Sequence, residues 1–376
     1  MSESKERIWL SSPHMGQMEM HYIQEAFDTN WISPAGPNIV GFEEDLKSYT
    51  GAGNAVALSS GTAAIHLALL NLGIDRDDEV ICSSFTFAAS VNPVVYQGAT
   101  PVFVDSELDT WNMDPVLLKE TILDRISKGK KPKAIILVHL YGMPAHMDEI
   151  MQIADEFDIP VIEDAAEALG STYKGKPLGT FGVMGILSFN GNKIITTSGG
   201  GAMISENKEY VEHARFLSTQ ARDQAPHYQH SHIGYNYRMS NICAGIGRGQ
   251  MTVLEDRIQK RRGNFEFYKE KLESSGLFEL PSEPDQYYSN RWLTTILLKT
   301  EDKDREEIRQ ELERYNIETR PLWKPMHLQP VFKDYPTYLN GNSESLFDKG
   351  LCLPSGSNLT EENLEMVVDK ILKFFN

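Results

Sequence analysis

The sequence predicts an α/β fold, in which a large domain holds a mostly parallel central sheet flanked by helices and a smaller C-terminal α+β domain follows. Three observations lead to this prediction. From about Asn54 onward, short apolar runs alternate with helical patterns, as they do when crossover helices join parallel strands. Most of these runs are apolar throughout, which is typical of strands buried on both faces. Near residue 250 the alternation stops and a different pattern begins.

The expected strands of the large domain follow one another at regular intervals. They are the runs NAVALSS, DEVICSS, TPVFVD, KAIILVHLYG, IPVIEDA, GILSFN and GGAMIS. Helical patterns separate several of them, among them TAAIHLALLNLG and HMDEIMQIADEFD. We therefore expect a large domain over residues 1–250. Its first ~40 residues carry helix signals and few strand signals, and we expect them to pack against the second domain.

The second domain is expected over residues 251–376. A long charged helix is predicted to start around Gln250 and to run through RIQKRRGNFEFYKEKLES. An alternating strand, RWLTTILLKT, then precedes a helix around REEIRQELERYN and a terminal helix, EENLEMVVDKILKFF. This order of elements predicts a small α+β domain.

Composition disfavours several classes of protein. The 376 residues are 41% hydrophobic and carry a formal net charge of −17, which argues against general binding to a nucleic-acid backbone. The three cysteines, Cys82, Cys243 and Cys352, are scattered and fit a reducing compartment better than a zinc site. The polar start MSESKERIW has no apolar signal core, and no apolar run approaches the roughly 20 residues of a membrane span. These features predict a cytoplasmic protein with no membrane or nucleic-acid partner.

Small residues fill the turn between an expected strand and an expected helix in ALSSGTAAIHLALL. The turn runs from Ser59 to Thr62, and Gly61 lies within it. Small residues let a ligand approach the backbone, and the N–H groups of a first helical turn favour an anion. Simple capping of the helix by Ser60 or Thr62 explains the same pattern, so both interpretations stand. A Walker A loop and a GxGxxG loop are both missing, which disfavours a P-loop nucleotide site and a nicotinamide site.

Two acids, Glu163 and Asp164, come where the apolar run IPVIEDA ends. The carboxyl ends of parallel strands are where ligands bind in open α/β sheets. One carboxylate there is suited to holding a protonated ring nitrogen through a charge-assisted hydrogen bond. Capping of the next helix by Asp164 is the alternative. Metal-ligand spacing is missing nearby, so we predict no metal, and we expect His139 to be a histidine of the core or a support for a site residue.

One lysine, Lys193, lies between the expected strand GILSFN and the β-like run Ile194–Thr197. A P-loop lysine would be followed by a helix, so that interpretation weakens, while an ordinary surface lysine remains an alternative. Lys193 has small and apolar neighbours in the sequence, and desolvation favours the neutral, nucleophilic amine. An amine that bonds to an aldehyde cofactor also needs a phosphate site, an acid and an aromatic ring. Phe85 and Phe87 in SSFTFAAS are candidates for the ring.

At this point the whole set of motifs can be compared with a known family. The motifs are NWISPAGPNIVGFEEDL, ALSSGTAAIHLAL, SFTFAAS, VIEDAAEALGS, SFNGNKIITTSGGGAM, GYNYRMSNICAGIG and RPLWKPMHLQP. They resemble those of the pyridoxal-phosphate (PLP) aminotransferases of nucleotide sugars, the DegT/DnrJ/EryC1/StrS type, over nearly the whole chain. This resemblance implies the fold-type-I PLP transferase architecture. SSPHMG and RPLWKPMH are most similar to enzymes that aminate UDP-linked 4-keto-6-deoxy-N-acetylglucosamine in bacillosamine-type pathways.

The resemblance implies roles for the residues around the cofactor ring. Lys193 would bind the cofactor covalently and carry the proton between cofactor and substrate carbon. Asp164 would hold the ring nitrogen protonated, so that the ring withdraws electrons. Phe87 would stack on the ring, and Glu167 occupies the position of a polar residue near the ring hydroxyl.

The resemblance also implies the residues around the 5′-phosphate and a second subunit. Gly61, Thr62 and Ser188 would hold the phosphate, and Asn236 of GYNYRM would reach it from the neighbouring subunit of a homodimer with shared sites. Many family members have Gly-Glu-Gly-Gly where this chain has Ser-Gly-Gly-Gly from Ser198, a variant that resembles the bacillosamine-type branch. Related sugar dehydratases carry histidine in place of the lysine, so the lysine favours transamination.

The implied reaction moves the amino group of L-glutamate, through pyridoxamine phosphate, to C4 of a nucleotide-linked 4-keto-6-deoxy sugar. The first candidate substrate is UDP-2-acetamido-2,6-dideoxy-hexos-4-ulose, and GDP-4-keto-6-deoxymannose is the second. Another PLP enzyme on the same scaffold and a non-catalytic PLP-binding regulatory protein stay open. Packing between the domains is the alternative role for the two tryptophans among the candidate residues for the sugar nucleotide, which are Asn30, Trp31, Arg320, Trp323, Lys324 and His327.

Overall fold

A computed structural model describes residues 6–375 of the chain. Its α-helices are α1 Glu19–Asp28, α2 Pro37–Thr50, α3 Gly61–Asn71, α4 Asn92–Tyr96, α5 Pro115–Ser127, α6 Met147–Glu156, α7 Lys208–Ser218, α8 Asn241–Met251, α9 Leu254–Glu273, α10 Arg305–Arg314, α11 Asn342–Lys349 and α12 Glu361–Phe374. Short 3-10 helices cover Ala88–Ser90, Leu140–Gly142 and Met326–Leu328. Within the described part of the chain, none of the helices combines the length and the apolar composition needed to cross a bilayer.

The strands form three sheets. They are β1 Asn54–Leu58, β2 Glu79–Ser83, β3 Thr100–Val104, β4 Ala134–Val138, β5 Val161–Asp164, β6 Thr172–Tyr173, β7 Lys176–Pro177, β8 Met184–Ser188, β9 Gly201–Ser205, β10 Phe278–Glu279, β11 Tyr287–Tyr288, β12 Thr294–Leu298, β13 Arg320–Pro321, β14 Thr337–Tyr338 and β15 Gly350–Leu353. The seven apolar runs singled out in the sequence are all strands of the largest sheet, as predicted.

The largest sheet has eight strands in the order β1-β9-β8-β5-β4-β2-β3-β14. It is mostly parallel, and only the β1–β9 and β9–β8 pairings are antiparallel. Two separate apolar cores contain the side chains of its two faces, together with residues of the flanking helices. This layered arrangement confirms the predicted α/β fold, and it explains why its strands lack alternation: both faces are buried.

The topology brings the candidate site residues to one edge of this sheet. Strands β1, β8, β5, β4 and β2 all point in the same direction, since β1 and β8 flank the single reversed strand β9. Their carboxyl ends therefore lie together. Gly61 opens α3 just after β1, Asp164 ends β5, and Ser188 ends β8. Ligands bind at this edge in open α/β sheets.

A second, four-stranded antiparallel sheet has the order β10-β12-β15-β13 and forms another apolar core with α9, α10 and α12. The N-terminal segment runs beside it: the Ile8 N–H donates to Asn316 O, and the Leu10 N–H donates to Glu318 Oε2. Strand β14 pairs with β3, at the edge of the large sheet. The division of the chain at residue 250 stays a prediction, and residues 1–5 and 376 of the predicted spans lie outside the described residues.

The long charged helix predicted from around Gln250 is α9, although it begins slightly later than predicted. Gln250 belongs to α8, whose Gly247 and Gly249 allow close contact with Phe42 of α2 and Glu19 of α1. The chain then turns, and α9 starts at Leu254 and packs on the four-stranded sheet. The charged residues of the predicted helix begin after this turn, at Glu255, so the sequence pattern agrees with the start of α9.

The β-like run Ile194–Thr197 is not a strand. It belongs to a loop that the Thr197 N–H closes by donating to Phe189 O, and the Thr196 N–H donates to Gln250 Oε1. Ile194 and Ile195 are buried in the large apolar core. Their hydrophobicity comes from packing under the loop and not from a strand ladder.

Candidate active site

A cavity of about 330 Å³ opens at the carboxyl edge of the large sheet. Such a volume is at the lower end of the range for small-molecule sites. The structure brings most of the predicted cofactor residues together in its wall: Gly61, Thr62, Phe87, Asp164, Glu167, Ser188 and Lys193, with Trp323 from the predicted substrate set.

The first turn of α3 forms one end of this cavity. Ser60 is the N-cap, and its Oγ accepts the N–H of Ala63 at 3.0 Å, so the capping interpretation is correct for this residue. Capping satisfies only one of the N–H groups that a helix start leaves without intrahelical partners, and the others favour an anion. Ser188 lies opposite, since a Cβ added at Gly61 would be 3.3 Å from the Ser188 Cβ. The geometry suits a phosphate group.

Asp164 is buried at the end of β5, and hydrogen bonds fix its carboxylate. The Ser90 hydroxyl donates to Oδ2 at 2.6 Å, and the Ala166 N–H donates to Oδ1 at 3.2 Å. Ser90 Oγ is in turn 2.8 Å from Thr86 Oγ1. A carboxylate that is held in this way and lines a cavity can bind a cationic ring nitrogen.

Lys193 lies on a tight turn after β8, and its ammonium faces two groups. Its Nζ is 3.5 Å from Glu167 Oε1 and 4.0 Å from the centroid of the Trp292 ring. Two side chains from other segments fix this turn: Asn192 O accepts the Trp292 Nε1–H at 2.7 Å and the Ser11 hydroxyl at 2.8 Å. Only 12% of the lysine side chain is exposed, which excludes an ordinary surface lysine.

Two buried glutamates, Glu167 beside Lys193 and Glu163 on β5, have opposite environments. Burial raises the pKa of the Glu167 carboxyl above its ordinary value, and the Lys193 ammonium and the Tyr141 N–H offset only part of this effect. Burial acts in the same direction on Glu163, but the hydrogen bond from His139 and the backbone N–H groups of Gly182 and Gly179 hold the pKa of that carboxyl below its ordinary value. Such a divergence separates a carboxyl that can take up a proton from one that stays ionised.

His139 and Glu163 form a buried, hydrogen-bonded pair at the end of β5. Both side chains are fully buried, and His139 Nε2 lies 3.0 Å from Glu163 Oε2. The Ala145 N–H donates to His139 Nδ1 at 3.3 Å, so Nε2 carries the proton that Glu163 accepts. His139 is thus a histidine of the core that fixes the end of β5, in agreement with the sequence prediction.

Aromatic rings form the wall opposite the sheet. Phe87 is 54% exposed, and its ring centroid lies 5.4 Å from that of Trp323. The other candidate ring, Phe85, does not line the cavity and is buried in the apolar cluster that also contains Tyr141 and Trp292. Tyr141 is stacked between Trp292 and Trp323, with centroid distances of 6.5 Å and 6.1 Å.

A second cavity, of about 520 Å³, adjoins the first, and both are lined by Asn192 and Trp323. Arg320 and Lys324 line this second cavity. Arg320 is well exposed, and its Nε and Nη2 donate to Glu318 Oε1 at 3.1 Å and 2.7 Å. The structure therefore places three of the six predicted substrate residues, Arg320, Trp323 and Lys324, beside the cofactor cavity.

The other predicted residues lie elsewhere in this chain. Asn30 and Trp31 follow α1 and line neither of the two cavities described above, and Trp31 is exposed. His327 is buried, with Nδ1 2.6 Å from Ser84 Oγ and Nε2 3.1 Å from Glu344 Oε1. Asn236 lies outside the cavity wall and accepts a hydrogen bond from the amide of Gln220.

The sequence interpretation missed Ser90 and Trp292, which line the cavity, and Tyr141, which packs behind its wall. Ser90 lies in SSFTFAAS, where the aromatic residues give the stronger signal. Trp292 falls at the start of an expected strand, and Tyr141 falls in an apolar run. No spacing rule connects these residues to Lys193, because chain folding over more than 50 residues brings them there.

These side chains fit the PLP cofactor on structural grounds. One cavity holds a lysine amine, a fixed carboxylate, an exposed aromatic ring and a helix N-terminus. The chemistry of this donor set corresponds to the aldehyde, ring nitrogen, ring face and phosphate of PLP.

Comparison with known proteins agrees with this fit. The profile of the DegT/DnrJ/EryC1/StrS aminotransferase family matches residues 13–372. The chain is 51% identical to the putative pyridoxal phosphate-dependent aminotransferase EpsN of Bacillus subtilis, over 98% of this chain and 96% of that protein. It is 38% identical to the GDP-perosamine synthase of Escherichia coli O157:H7, over 97% of each.

Solved structures show the same architecture. A DegT DnrJ EryC1 StrS aminotransferase from Brucella abortus superposes with a TM-score of 0.89 at 30% identity, over 95% of each chain. The PLP form of the putative sugar aminotransferase Spr1654 from Streptococcus pneumoniae superposes with a TM-score of 0.88 at 26% identity, over 97% of this chain and 98% of that one. The chain belongs to the DegT/DnrJ/EryC1/StrS aminotransferase family and is a PLP-dependent sugar aminotransferase.

Proposed function

We propose that the enzyme transfers the amino group of L-glutamate to C4 of a nucleotide-linked 4-keto-6-deoxy sugar, with UDP-2-acetamido-2,6-dideoxy-hexos-4-ulose as the first candidate. The observation that carries this proposal is the second cavity, which adjoins the cofactor cavity and bears Arg320 and Lys324. A substrate that carries a diphosphate and a nucleoside needs space beyond the reacting carbon and cationic groups around the phosphates.

We propose that the substrate occupies both cavities. In this proposal, the sugar ring lies in the first cavity, near Lys193, and the diphosphate lies in the second. Trp323 and Asn192 line both cavities and would contact the linkage between them. Arg320 has its Nε and Nη2 on Glu318, so the diphosphate would compete with this carboxylate or use the remaining Nη1.

We assign the cofactor contacts to the residues of the first cavity. PLP, when bound, supplies an aldehyde that takes up an amino group and a ring that withdraws electrons. Gly61, Thr62 and Ser188 would hold its phosphate, and Phe87 would cover one face of its ring. The carboxylate of Asp164, which Ser90 orients, would keep the ring nitrogen protonated.

Lys193 would bond to the cofactor and, once released, move the proton between the substrate carbon and its own amine. Its Nζ lies among groups that suit this role, because the Glu167 carboxylate and the face of the Trp292 ring both stabilise the ammonium. The surrounding wall excludes most water, because both Lys193 and Glu167 are largely buried.

We also propose a homodimer in which Asn236 reaches the phosphate of the partner's site. Within its own chain, Asn236 lies outside the cavity, as this role requires. Large apolar side chains are exposed near it, with Tyr228 at 79% and Ile233 at 86%. Asn30 and Trp31 line neither cavity of their own chain, so in this proposal they would contact the substrate in the site of the partner subunit. Light scattering of the purified protein tests this arrangement, and a monomer that is fully active would exclude it.

A GDP-linked substrate is the second candidate, because the chain is 38% identical to a GDP-perosamine synthase. A role in polysaccharide synthesis is supported by the name of a relative that is 30% identical, the spore coat polysaccharide biosynthesis protein SpsC of Bacillus subtilis. The scattered cysteines favour a cytoplasmic enzyme. A non-catalytic regulatory protein is disfavoured, since the lysine and its buried partners are all in place.

A panel of 4-keto nucleotide sugars tests the proposal. The enzyme would be incubated with PLP, glutamate and either UDP-linked or GDP-linked 4-keto-6-deoxy sugars, and the products analysed by mass spectrometry. Preferential amination of the UDP-linked N-acetyl sugar is the expected result. Preference for the GDP-linked sugar would replace the first candidate with the second, and turnover of none of them would refute the proposal.

A further inference from the structure

We propose that Tyr141 is a positioning residue that holds Trp323 between the two cavities and thereby controls binding of the nucleotide sugar without affecting the reaction with glutamate. This inference rests on the proposed function, because it assumes a substrate that extends into the second cavity. Tyr141 lines neither cavity and would touch neither the cofactor nor a substrate that occupies them.

Three contacts connect Tyr141 to both parts of the site. Its N–H donates to Glu167 Oε2 at 2.7 Å, on the cofactor side. Its hydroxyl accepts the backbone N–H of Trp323 at 2.8 Å, on the substrate side. Its ring is stacked between Trp292, which lies against the Lys193 ammonium, and Trp323. Among the hydrogen bonds of the described residues, neither Leu140 nor Gly142, the two neighbours of Tyr141 in the chain, connects both parts of the site.

The backbone of Tyr141 is held in an unfavourable conformation. Its φ angle is +54°, in the left-handed region that a residue with a large side chain rarely adopts. A conformation of this kind persists only when the surrounding contacts determine it, and it is concentrated at functional sites. Here the conformation lets one residue direct its N–H toward Glu167 and its hydroxyl toward Trp323.

The hydroxyl of Tyr141 also lies next to the strands that carry Arg320. The thiol of Cys352 in β15 is beside this hydroxyl, and Cys352 is the β-ladder partner of Arg320 in β13. Burial raises the pKa of Tyr141 well above its ordinary value, so the hydroxyl stays neutral and is a stable acceptor for the Trp323 N–H. Loss of this oxygen would leave the Trp323 backbone N–H without its acceptor, within the segment from Arg320 to Lys324 that lines the second cavity.

Glutamate and the nucleotide sugar should respond differently to this loss. Glutamate is small enough to react within the first cavity, whose lysine and carboxylate remain in place when only the hydroxyl is removed. The nucleotide sugar needs Trp323, Arg320 and Lys324 at their positions. Tyr141→Phe is therefore expected to separate the two half-reactions.

The first test concerns the position of Trp323 and needs no substrate. The holoenzyme contains five tryptophans and can be labelled with 5-fluorotryptophan, and Trp323→Phe identifies the fluorine signal of Trp323. Tyr141→Phe should shift or broaden that signal. Tyr49→Phe is the matched control, because Tyr49 is a partly buried tyrosine whose hydroxyl donates to Glu255 Oε1 at 2.5 Å and because it lines neither cavity. The control should leave the Trp323 signal unchanged.

The second test measures the two half-reactions. Tyr141→Phe is expected to raise the KM for the nucleotide sugar about tenfold, with kcat nearly constant, and to leave the rate at which glutamate bleaches the cofactor absorbance within about twofold of the parent. An unchanged Trp323 signal would overturn the inference, and so would an equal fall in both half-reactions. If the parent enzyme aminates no nucleotide sugar, the proposed function fails, and the fluorine signal alone then decides whether Tyr141 positions Trp323.

Discussion

The Nζ atom of Lys193 lies 3.5 Å from Oε1 of Glu167. Both side chains line the cofactor cavity, and both are only slightly exposed. The second oxygen of Glu167 accepts the Tyr141 N–H at 2.7 Å, so the carboxylate is fixed with one oxygen toward the lysine. Because burial disfavours each isolated charge, the lysine ammonium and the glutamate carboxylate stabilise one another. Glu167 is therefore the group that compensates the charge of the ammonium in the cavity wall.

Replacing Glu167 tests the role of this pair. The pKa of Glu167 is raised above its ordinary value of 4.5, so the carboxylate that pairs with Lys193 is lost as the pH falls through the raised pKa. In Glu167→Gln the carboxylate is absent at every pH, so we expect the variant to lack the change in the rate of covalent PLP binding that the apoenzyme of the parent shows as the pH falls toward 4.5. Stopped-flow absorbance over a pH series measures this rate. A variant profile that matches the parent's would mean that the Glu167 carboxylate has no effect on covalent binding of PLP.

The pair of His139 and Glu163 predicts a pH dependence of stability. The pKa of Glu163 is lower in the folded chain than its ordinary value of 4.5, so its carboxylate stabilises the fold above that pH, and the contribution is lost as the pH falls through the lowered pKa. Glu163→Gln should cost about 3–5 kcal/mol at pH 7, because it breaks a fully buried, hydrogen-bonded pair. The cost should shrink below pH 4.5.

Denaturant unfolding of both proteins over a pH series measures this difference. Glu44→Gln is the control, since Glu44 pairs with Lys47 and its side chain is 62% exposed. That variant should differ from the parent by less than about 1 kcal/mol. A cost for Glu163→Gln that is the same at every pH would contradict the assigned role of its charge.

The glycines after the lysine predict a contrast between two neighbouring positions. A Cβ at Gly201 would lie 2.3 Å from the Gly61 nitrogen, behind the proposed phosphate site, whereas a Cβ at Gly199 would meet no protein atom within 4 Å. Gly201→Ala should therefore cost about 1–3 kcal/mol of stability and weaken PLP binding. Gly199→Ala should stay within about 0.5 kcal/mol of the parent. Equal thermal unfolding of the two variants would show that the close contact is unimportant.

The second cavity predicts an effect of Arg320 on substrate binding. Arg320→Ala should raise the KM for the nucleotide sugar about tenfold and leave the reaction with glutamate unchanged, because only the diphosphate needs the guanidinium. Arg314→Ala is the control, since Arg314 is exposed on α10 and pairs with Glu311. Initial rates at several concentrations of each substrate measure the effect. An unchanged KM in Arg320→Ala would remove this residue from the site.

Much of the fold could be predicted because its strands have a simple physical signature. Strands buried on both faces must be apolar throughout, and the seven runs that satisfy this rule are strands of the large sheet. The exception has a physical cause. Ile194 and Ile195 are apolar because they pack beneath a loop, and their run therefore resembles a strand in the sequence.

The site was predictable where a residue follows a strand directly. Asp164, Ser188 and Gly61 lie at or next to the carboxyl ends of strands, so topology alone brings them to one edge. Trp292 lies just before β12 and Tyr141 lies in a 3-10 helix, and only tertiary packing places Trp292 against Lys193 and Tyr141 against Trp292. The sequence suggested His327 as a substrate residue, but its two ring nitrogens already form hydrogen bonds with Ser84 and Glu344.

The most direct test of the proposed reaction follows the nitrogen atom itself. The enzyme would be incubated with PLP, nitrogen-15 glutamate and UDP-2-acetamido-2,6-dideoxy-hexos-4-ulose, with Lys193→Ala as a parallel sample that should still bind PLP without turning over. We expect the label to appear in a 4-amino sugar nucleotide in the parent sample only. An unlabelled amino sugar, no amino sugar at all, or repeated turnover by Lys193→Ala would contradict the proposed reaction.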